Sequence, residues 1–216
     1  MCPNNRYDTS NLPEDQFEPG SNNRVLKNLL GITSKEELEH VEELRFERLM
    51  DEALVCFDAD HCFTAEDILW LHKFWLNDVF IWAGTYRKVN IGKGGFMFAA
   101  AAQVPELMRQ FEIKQLSRLT PCRFDSVKEV AAALAEVHVE LVLIHPFREG
   151  NGRIARLLSV LMALQAELPP LDFSELQGAK QKEYFAAVRA GLDLDYQPME
   201  IIFSGVIDQT LRSCGL

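Results

Sequence analysis

This chain has no run of about 18 apolar residues, the length a membrane-crossing helix needs, and no basic segment leading into an apolar stretch at its N-terminus. The expectation is no membrane association and a cytoplasmic place at synthesis, with delivery into another cell by a specialised secretion route left open. Basic residues are scarce: 22 Lys and Arg face 32 Asp and Glu, a net charge of −10. A field of that sign works against nucleic acid and anionic membranes as direct ligands. Cysteines are few, five at positions 2, 56, 62, 122 and 214. An odd, scattered set argues against a disulfide framework and for free thiols in a reducing compartment. Cys56 and Cys62 bracket Asp58, Asp60 and His61, but their spacing fits no common zinc pattern and no second pair exists, so a structural or incidental role is favoured. There is no internal repeat and no low-complexity tract. What is present is 216 residues, 48% apolar and 25% charged, enough for one sizeable core. Residues 1–24, rich in Asn, Pro, Asp and Glu, read as a tail or wrapping arm. Residues 25–216 read as one domain.

The prevailing periodicity is helical. Val130, Leu134, Val137, Leu141 and Ile144 recur at steps of three and four, and Ile154, Leu157, Leu158, Leu161 and Leu164 form a second such stripe. The same period predicts helices over 35–54, 65–80, 104–119, 181–191 and 198–211. One interruption has strand character: 89–91 as a first strand, the glycine-rich 92–95 as a turn, and 96–98 as a second strand. The expected fold is mostly α with one β-hairpin.

Between the two apolar stripes lies His145-Pro-Phe-Arg-Glu-Gly-Asn-Gly-Arg153, with Arg156 one turn further on. Pro146 and the two glycines break the first helix, so the run is a tight loop feeding the N-terminus of the next one. Free backbone N–H groups and the positive end of the helix dipole meet there, and glycines let an anion come close. His145 is the only group in the loop that accepts a proton near neutral pH, which makes it the candidate general base. Glu149 is a hard oxygen donor suited to one Mg²⁺ position. Asn151 can donate to a phosphate oxygen without adding charge. Arg153 and Arg156 share one helix face and can both fork onto phosphates. Each feature alone is usually structural, but nine ordered positions with this chemistry together describe phosphoryl or nucleotidyl transfer.

The string resembles the signature of Fic domains, His-x-Phe-x-(Asp/Glu)-Gly-Asn-Gly-Arg, and matches it completely. The likeness extends to Trp82-Ala-Gly-Thr-Tyr-Arg87 with the following Val89 to Phe98 run, similar to the family's β-hairpin flap, and to Leu26 through Thr33, similar to the lead-in to its first helix. It implies a Fic-type helical bundle that transfers AMP from ATP to a Tyr, Thr or Ser hydroxyl of a target protein, releasing pyrophosphate. In that scheme His145 is the base, Glu149 holds Mg²⁺, and Gly150, Asn151 and Gly152 line the anion hole. Arg153 then meets the β-phosphate and Arg156 the γ-phosphate. Glycine at 152, where kinase-like relatives carry Lys, implies an AMP transferase. The flap, Ile91, Gly92, Lys93, Gly94, Gly95, Phe96 and Met97, would pair with an extended target segment by strand addition.

Many relatives carry an inhibitory Ser/Thr-x-x-x-Glu-Gly/Asn segment whose glutamate pairs with the arginine at the place of Arg156. Here Thr33 to Glu37 has the spacing but reads as a helix cap, and Ser204 to Asp208 ends in Asp. The resemblance therefore implies toxin-like activity restrained by a small separate antitoxin, with Asp208 as a weak internal alternative. It suggests a type II topoisomerase subunit, such as gyrase B, as target. A Fic-type phosphotransferase, an AMP-removing hydrolase and a non-catalytic nucleotide- or peptide-binding module stay open. His138, seven residues before His145, is expected to be a satisfied core histidine.

Overall fold

The computed structural model describes residues 9, 11–176 and 180–215. Cys2 and the first eight residues of the expected tail lie outside them. Ser34, not Thr33, caps the first long helix, α1 (Lys35–Cys56), by accepting from the Glu37 amide at 3.3 Å. Glu36 and Glu37 then sit in the first turn, where the helix dipole favours negative charge. α2 (Ala65–Leu76) opens on a reciprocal capping box between Thr64 and Asp67.

The helix predicted over 65–80 stops at Leu76. Val79 and Phe80 continue the apolar period without helical backbone, because a turn folds both amides back onto the Leu76 carbonyl. Phe80 then stacks on Trp82 at 4.4 Å. Periodicity reports burial, and here burial comes from a turn.

The hairpin is real but its register differs from the expectation. β1 (Gly92–Lys93) pairs antiparallel with β2 (Phe96–Met97), Gly92 opposite Met97 and Lys93 opposite Phe96. The turn is therefore Gly94-Gly95 alone, both at positive φ (57° and 77°), the backbone a two-residue hairpin turn demands. Val89 is apolar because it is buried, not because it belongs to the strand.

α3 (Val104–Phe111) runs on through a π-helical turn, Glu112–Leu116, to Leu119. α4 (Val127–Ile144), capped by Ser126, is the axis of the molecule. Both apolar and small positions along it are buried, and α3, α5 (Asn151–Gln165), α6 (Lys180–Ala190) and α7 (Gln197–Ser213) all pack against it. α1 and α2 pack on one another and touch α5 from the other side. The chain is thus a mostly helical bundle with one small hairpin.

Residues 11–24 lie on the protein. Pro13–Asp15 form a 3-10 turn, and Phe17 bridges to Leu26. The buried Glu14 accepts from the Lys88 amide at 2.7 Å through its carboxylate and from Arg148 Nε at 2.9 Å through its carbonyl.

Cys56, Cys62 and Cys214 are exposed free thiols and Cys122 is a buried one. Among the described residues no group of His, Cys, Asp or Glu side chains is arranged to hold a metal by itself. His61 is spent on Asp67 at 2.9 Å. No helix among them is long and apolar enough to cross a membrane.

Candidate active site

α4 ends on an unusual residue. His145 is its C-cap and sits in the left-handed region at φ 52°, ψ 60°, a conformation that costs a side chain about 1 kcal/mol or more. The twist lets the imidazole fold back so that Nδ1 lies 3.0 Å from the Val142 carbonyl. A carbonyl only accepts, so Nδ1 carries the proton and Nε2 keeps its lone pair. Phe98, just past β2, stacks on the ring at 3.6 Å and 11°. Burial is the main cause of a pKa lowered to about 4, and the charges of Arg87 and Lys93 push the same way. His145 is therefore a neutral acceptor at pH 7.

The loop from Pro146 to Gly150 is held from behind. His72 on α2 stacks on Phe147 at 3.8 Å, accepts from the Gly84 amide through Nδ1 at 2.8 Å, and donates from Nε2 to the Glu149 carbonyl at 3.1 Å. Buried and neutral, with a pKa lowered to about 3 by desolvation, it can only hold this one tautomer. Asn151 has a structural task beside the one its chemistry suggested. Its Oδ1 accepts from the Phe147 amide and its Nδ2 donates to the Phe147 carbonyl, both at 2.8 Å, so the amide closes the loop and leaves one N–H uncommitted. Gly150, at φ 85°, starts α5 and aims the helix N-terminus into the space in front of His145.

That space is a cavity of about 630 Å³. Its floor is the loop and the start of α5, with Glu149, Gly150, Asn151, Gly152, Arg153 and Arg156 on its wall. The flap residues Ile91, Gly92, Lys93, Gly94 and Phe96 form one side; Gly95 and Met97 are not on the lining, and Met97 is exposed. Opposite stands α6, with Tyr184, Phe185, Val188 and Arg189. Lys93 lies over the Phe185 ring at 5.6 Å and Arg189 over Phe96 at 5.9 Å, so flap and α6 touch across the mouth. The cavity concentrates cations in a chain whose net charge is −10. A base, a carboxylate, a helix N-terminus and a cationic wall around a space of this size accept a phosphorylated ligand with an aromatic or apolar end.

Residues 62–163 match the model of the Fic/DOC family. This stretch is a Fic/DOC family domain. It is 29% identical over 181 residues to "Probable protein adenylyltransferase y4lH" of Sinorhizobium fredii, covering 84% of this chain and 89% of that one. It is 35% identical over 156 residues to the protein adenylyltransferase VbhT of Bartonella schoenbuchensis, covering 70% of this chain but 30% of VbhT. It therefore spans most of the rhizobial relative and less than a third of VbhT. Among solved structures, the BepC protein of Bartonella tribocorum, with AMPPNP bound, aligns with a TM-score of 0.70 at 22% identity, over 91% of this chain and 97% of that one. That likeness fixes the fold.

Three residues of this Fic domain were invisible in its motif. Glu42 on α1, almost fully buried, takes Arg153 Nη2 at 2.6 Å. Trp75 on α2 carries the same guanidinium on its ring at 4.3 Å and donates from Nε1 to the Glu42 carbonyl at 2.8 Å. His72 anchors the loop as described. All three come from helices far from the motif in sequence, and no local spacing announces them. By contrast, no carboxylate among the described residues makes an ion pair with Arg156. Ser34 to Glu37 is the α1 cap, and Asp208, exposed on α7, makes no ion pair among the described residues. His138 is buried between Ser159 Oγ (3.2 Å) and Tyr184 Oη (2.8 Å), a satisfied core histidine.

Proposed function

We propose that the chain is a protein adenylyltransferase that moves AMP from ATP to a Tyr, Thr or Ser hydroxyl of a target protein. The observation that carries this is the tautomer of His145, a neutral base with Nε2 free, at the edge of a cationic cavity on a helix N-terminus. In the reaction the target oxygen attacks the α-phosphorus while its proton passes to Nε2. The bond from that phosphorus to the bridging oxygen breaks, and pyrophosphate leaves with the electron pair. Amides at the start of α5, with Arg153 and Arg156, stabilise charge on the phosphates. Gly152 leaves open space on the floor, since a Cβ there would meet nothing within 4 Å.

Glu149 fits Mg²⁺. One oxygen accepts from the Gly150 amide at 2.9 Å, the other is left to a cation, and a single carboxylate suits a metal that takes its remaining ligands from phosphate and water. Bound there, Mg²⁺ would neutralise charge on the phosphates. The exposed edge of the flap would take an extended target segment as an added strand and bring its hydroxyl to His145. Restraint of a toxin-like activity by a separate small protein that brings a carboxylate to Arg156, which lines the cavity, is the regulation that goes with this reading. A type II topoisomerase subunit in the cytoplasm is the target to try first.

Incubating the chain with Mg²⁺ and ATP labelled on the α-phosphate in a bacterial lysate tests the reading. A labelled protein, absent when the label is on the γ-phosphate, is the expected result. Label from the γ-phosphate alone would make the chain a kinase, and no label from either would overturn transfer.

Two predictions follow from the site's electrostatics. Because His145 is neutral down to about 4, kcat/KM is expected to stay flat from pH 8 to about 5.5 and fall only below that. An ordinary histidine base would lose half its activity near 6.5, and a limb there would show that burial does not set this pKa. Glu42 has its pKa raised, burial outweighing the pull of Arg153. Glu42→Gln keeps an acceptor for Arg153 and removes a negative charge that opposes ATP. It should lower KM for ATP by about threefold to tenfold with no loss of thermal stability. A higher KM would mean that the carboxylate's hold on Arg153 matters more than its charge.

A further inference from the structure

The base and the flap share one side chain. Arg87 is 2% exposed, and each of the four hydrogen bonds its guanidinium makes goes to a main-chain carbonyl. Nε donates to His145 O at 2.6 Å, Nη1 to Val89 O at 2.8 Å, and Nη2 to Ala99 O at 2.5 Å and Ile144 O at 3.3 Å. Its own amide donates to Pro146 O at 2.8 Å. The four side-chain acceptors fall in two pairs. Ile144 and His145 are the last carbonyls of α4, which have no partner inside the helix. Val89 and Ala99 are the points where the chain enters and leaves the flap.

We infer that Arg87 is a positioning residue that sets the flap and the catalytic His145 in one fixed relation. A cation at a helix C-terminus is favourable, but a lysine at the surface would supply that. A buried guanidinium with a fixed fork of donors does something more: it ties three separate pieces of chain into one rigid corner. No carboxylate among the described residues contacts it. The charge of Glu14 acts on it from a distance, and that carboxylate is itself held by the Lys88 amide. The left-handed backbone of His145 is kept in place by this corner, and so is the aim of Nε2. The flap edge is held by the same atoms, so a target segment lying on that edge arrives at a set distance from the base. Arg87 touches neither nucleotide site nor target; it acts through His145 and the flap roots.

This inference rests on the reading of the site as an AMP transferase, so its test has one readout independent of activity. Arg87→Lys keeps the charge, but one nitrogen cannot span four carbonyls. In the full chain it is expected to keep its ATP dissociation constant within about twofold by calorimetry, while kcat falls by about tenfold or more. Amides over 91–98 should exchange with deuterium about tenfold faster, with those of α5 unchanged. Arg87→Gln is the second variant, with the same signs and larger effects. Asn90→Ala is the control, because Asn90 Oδ1 ties the flap root to the Ala101 amide at 2.9 Å without touching His145. It should raise KM for the target and leave kcat alone. Wild-type kcat and flap exchange in Arg87→Lys would overturn the inference. So would a fall in kcat matched by an equal fall in ATP binding, which is what a merely structural arginine predicts. If the wild-type chain transfers no AMP, the functional reading fails, and the exchange comparison alone decides on Arg87.

Discussion

Replacing His145 with alanine should lower kcat for AMP transfer by about 10²-fold or more and leave the ATP dissociation constant nearly unchanged. The split follows from where the imidazole is attached. Its Nδ1 proton is spent on Val142 O and its face on Phe98, so the ring offers the cavity only one atom, an acceptor. An acceptor gains nothing from phosphate oxygens, which are acceptors too, and its natural partner is the hydroxyl of the target. Alanine removes the stack and one hydrogen bond, at a cost of about 1–2 kcal/mol in stability, and keeps the strained φ. His145→Asn is the companion variant, because asparagine tolerates the left-handed region better than most residues. Radiolabel transfer at saturating ATP, with calorimetry on the same samples, separates the two effects. Undiminished transfer by both variants would mean that His145 is not the base; a large loss of ATP affinity would mean that its ring contacts the nucleotide.

What could be read in the chain before its structure divides along a physical line. Helices were legible because each buries one face, and the stripe Val130 to Ile144 prefigures the central α4. The loop was legible because its chemistry is contiguous, nine residues long. The hairpin's existence was legible and its register was not, because Val89 looks like a strand residue and is buried by docking. Phe80 misled in the same way at the end of α2. Arg87 was in view as part of a family-like string, but its task depends on four carbonyls at 89, 99, 144 and 145, which only the fold brings together. Glu42 and Trp75 meet Arg153 across more than seventy residues of chain, and nothing local in α1 marks Glu42 among its many acidic neighbours. Asn151 was read for the donor its amide offers, and the two bonds to Phe147 that close the loop and leave that amide one N–H could be seen only in the fold.

Gly150→Ala should weaken both the fold and the anion site. Gly150 lies at φ 85°, and a Cβ there would sit 2.5 Å from Trp75 Cζ3 and 3.1 Å from Cη2. Trp75 cannot step aside. It is fully buried, its Nε1 is bonded to Glu42 O, and Phe46 packs edge-on against it at 5.0 Å. The loop must therefore shift, or the indole must push into neighbours already at van der Waals contact. Left-handed strain and overpacking together predict a stability loss of about 2–4 kcal/mol. The functional loss has a separate cause. Trp75 is the platform under Arg153 at 4.3 Å, and Gly150 is the cap that aims the α5 amides, so moving either one detunes the anion site. KM for ATP should rise about tenfold or more even at temperatures where the variant is folded. Gly152→Ala is the matched control two residues away. A Cβ there meets nothing within 4 Å and lies inside the first turn of α5, where alanine gains about 1 kcal/mol over glycine in helix propensity. Urea denaturation should thus show Gly150→Ala weakened and Gly152→Ala unchanged or strengthened. Equal stability in the two variants would mean that the loop yields freely, and the rigid path from Trp75 to the anion site would have to be given up.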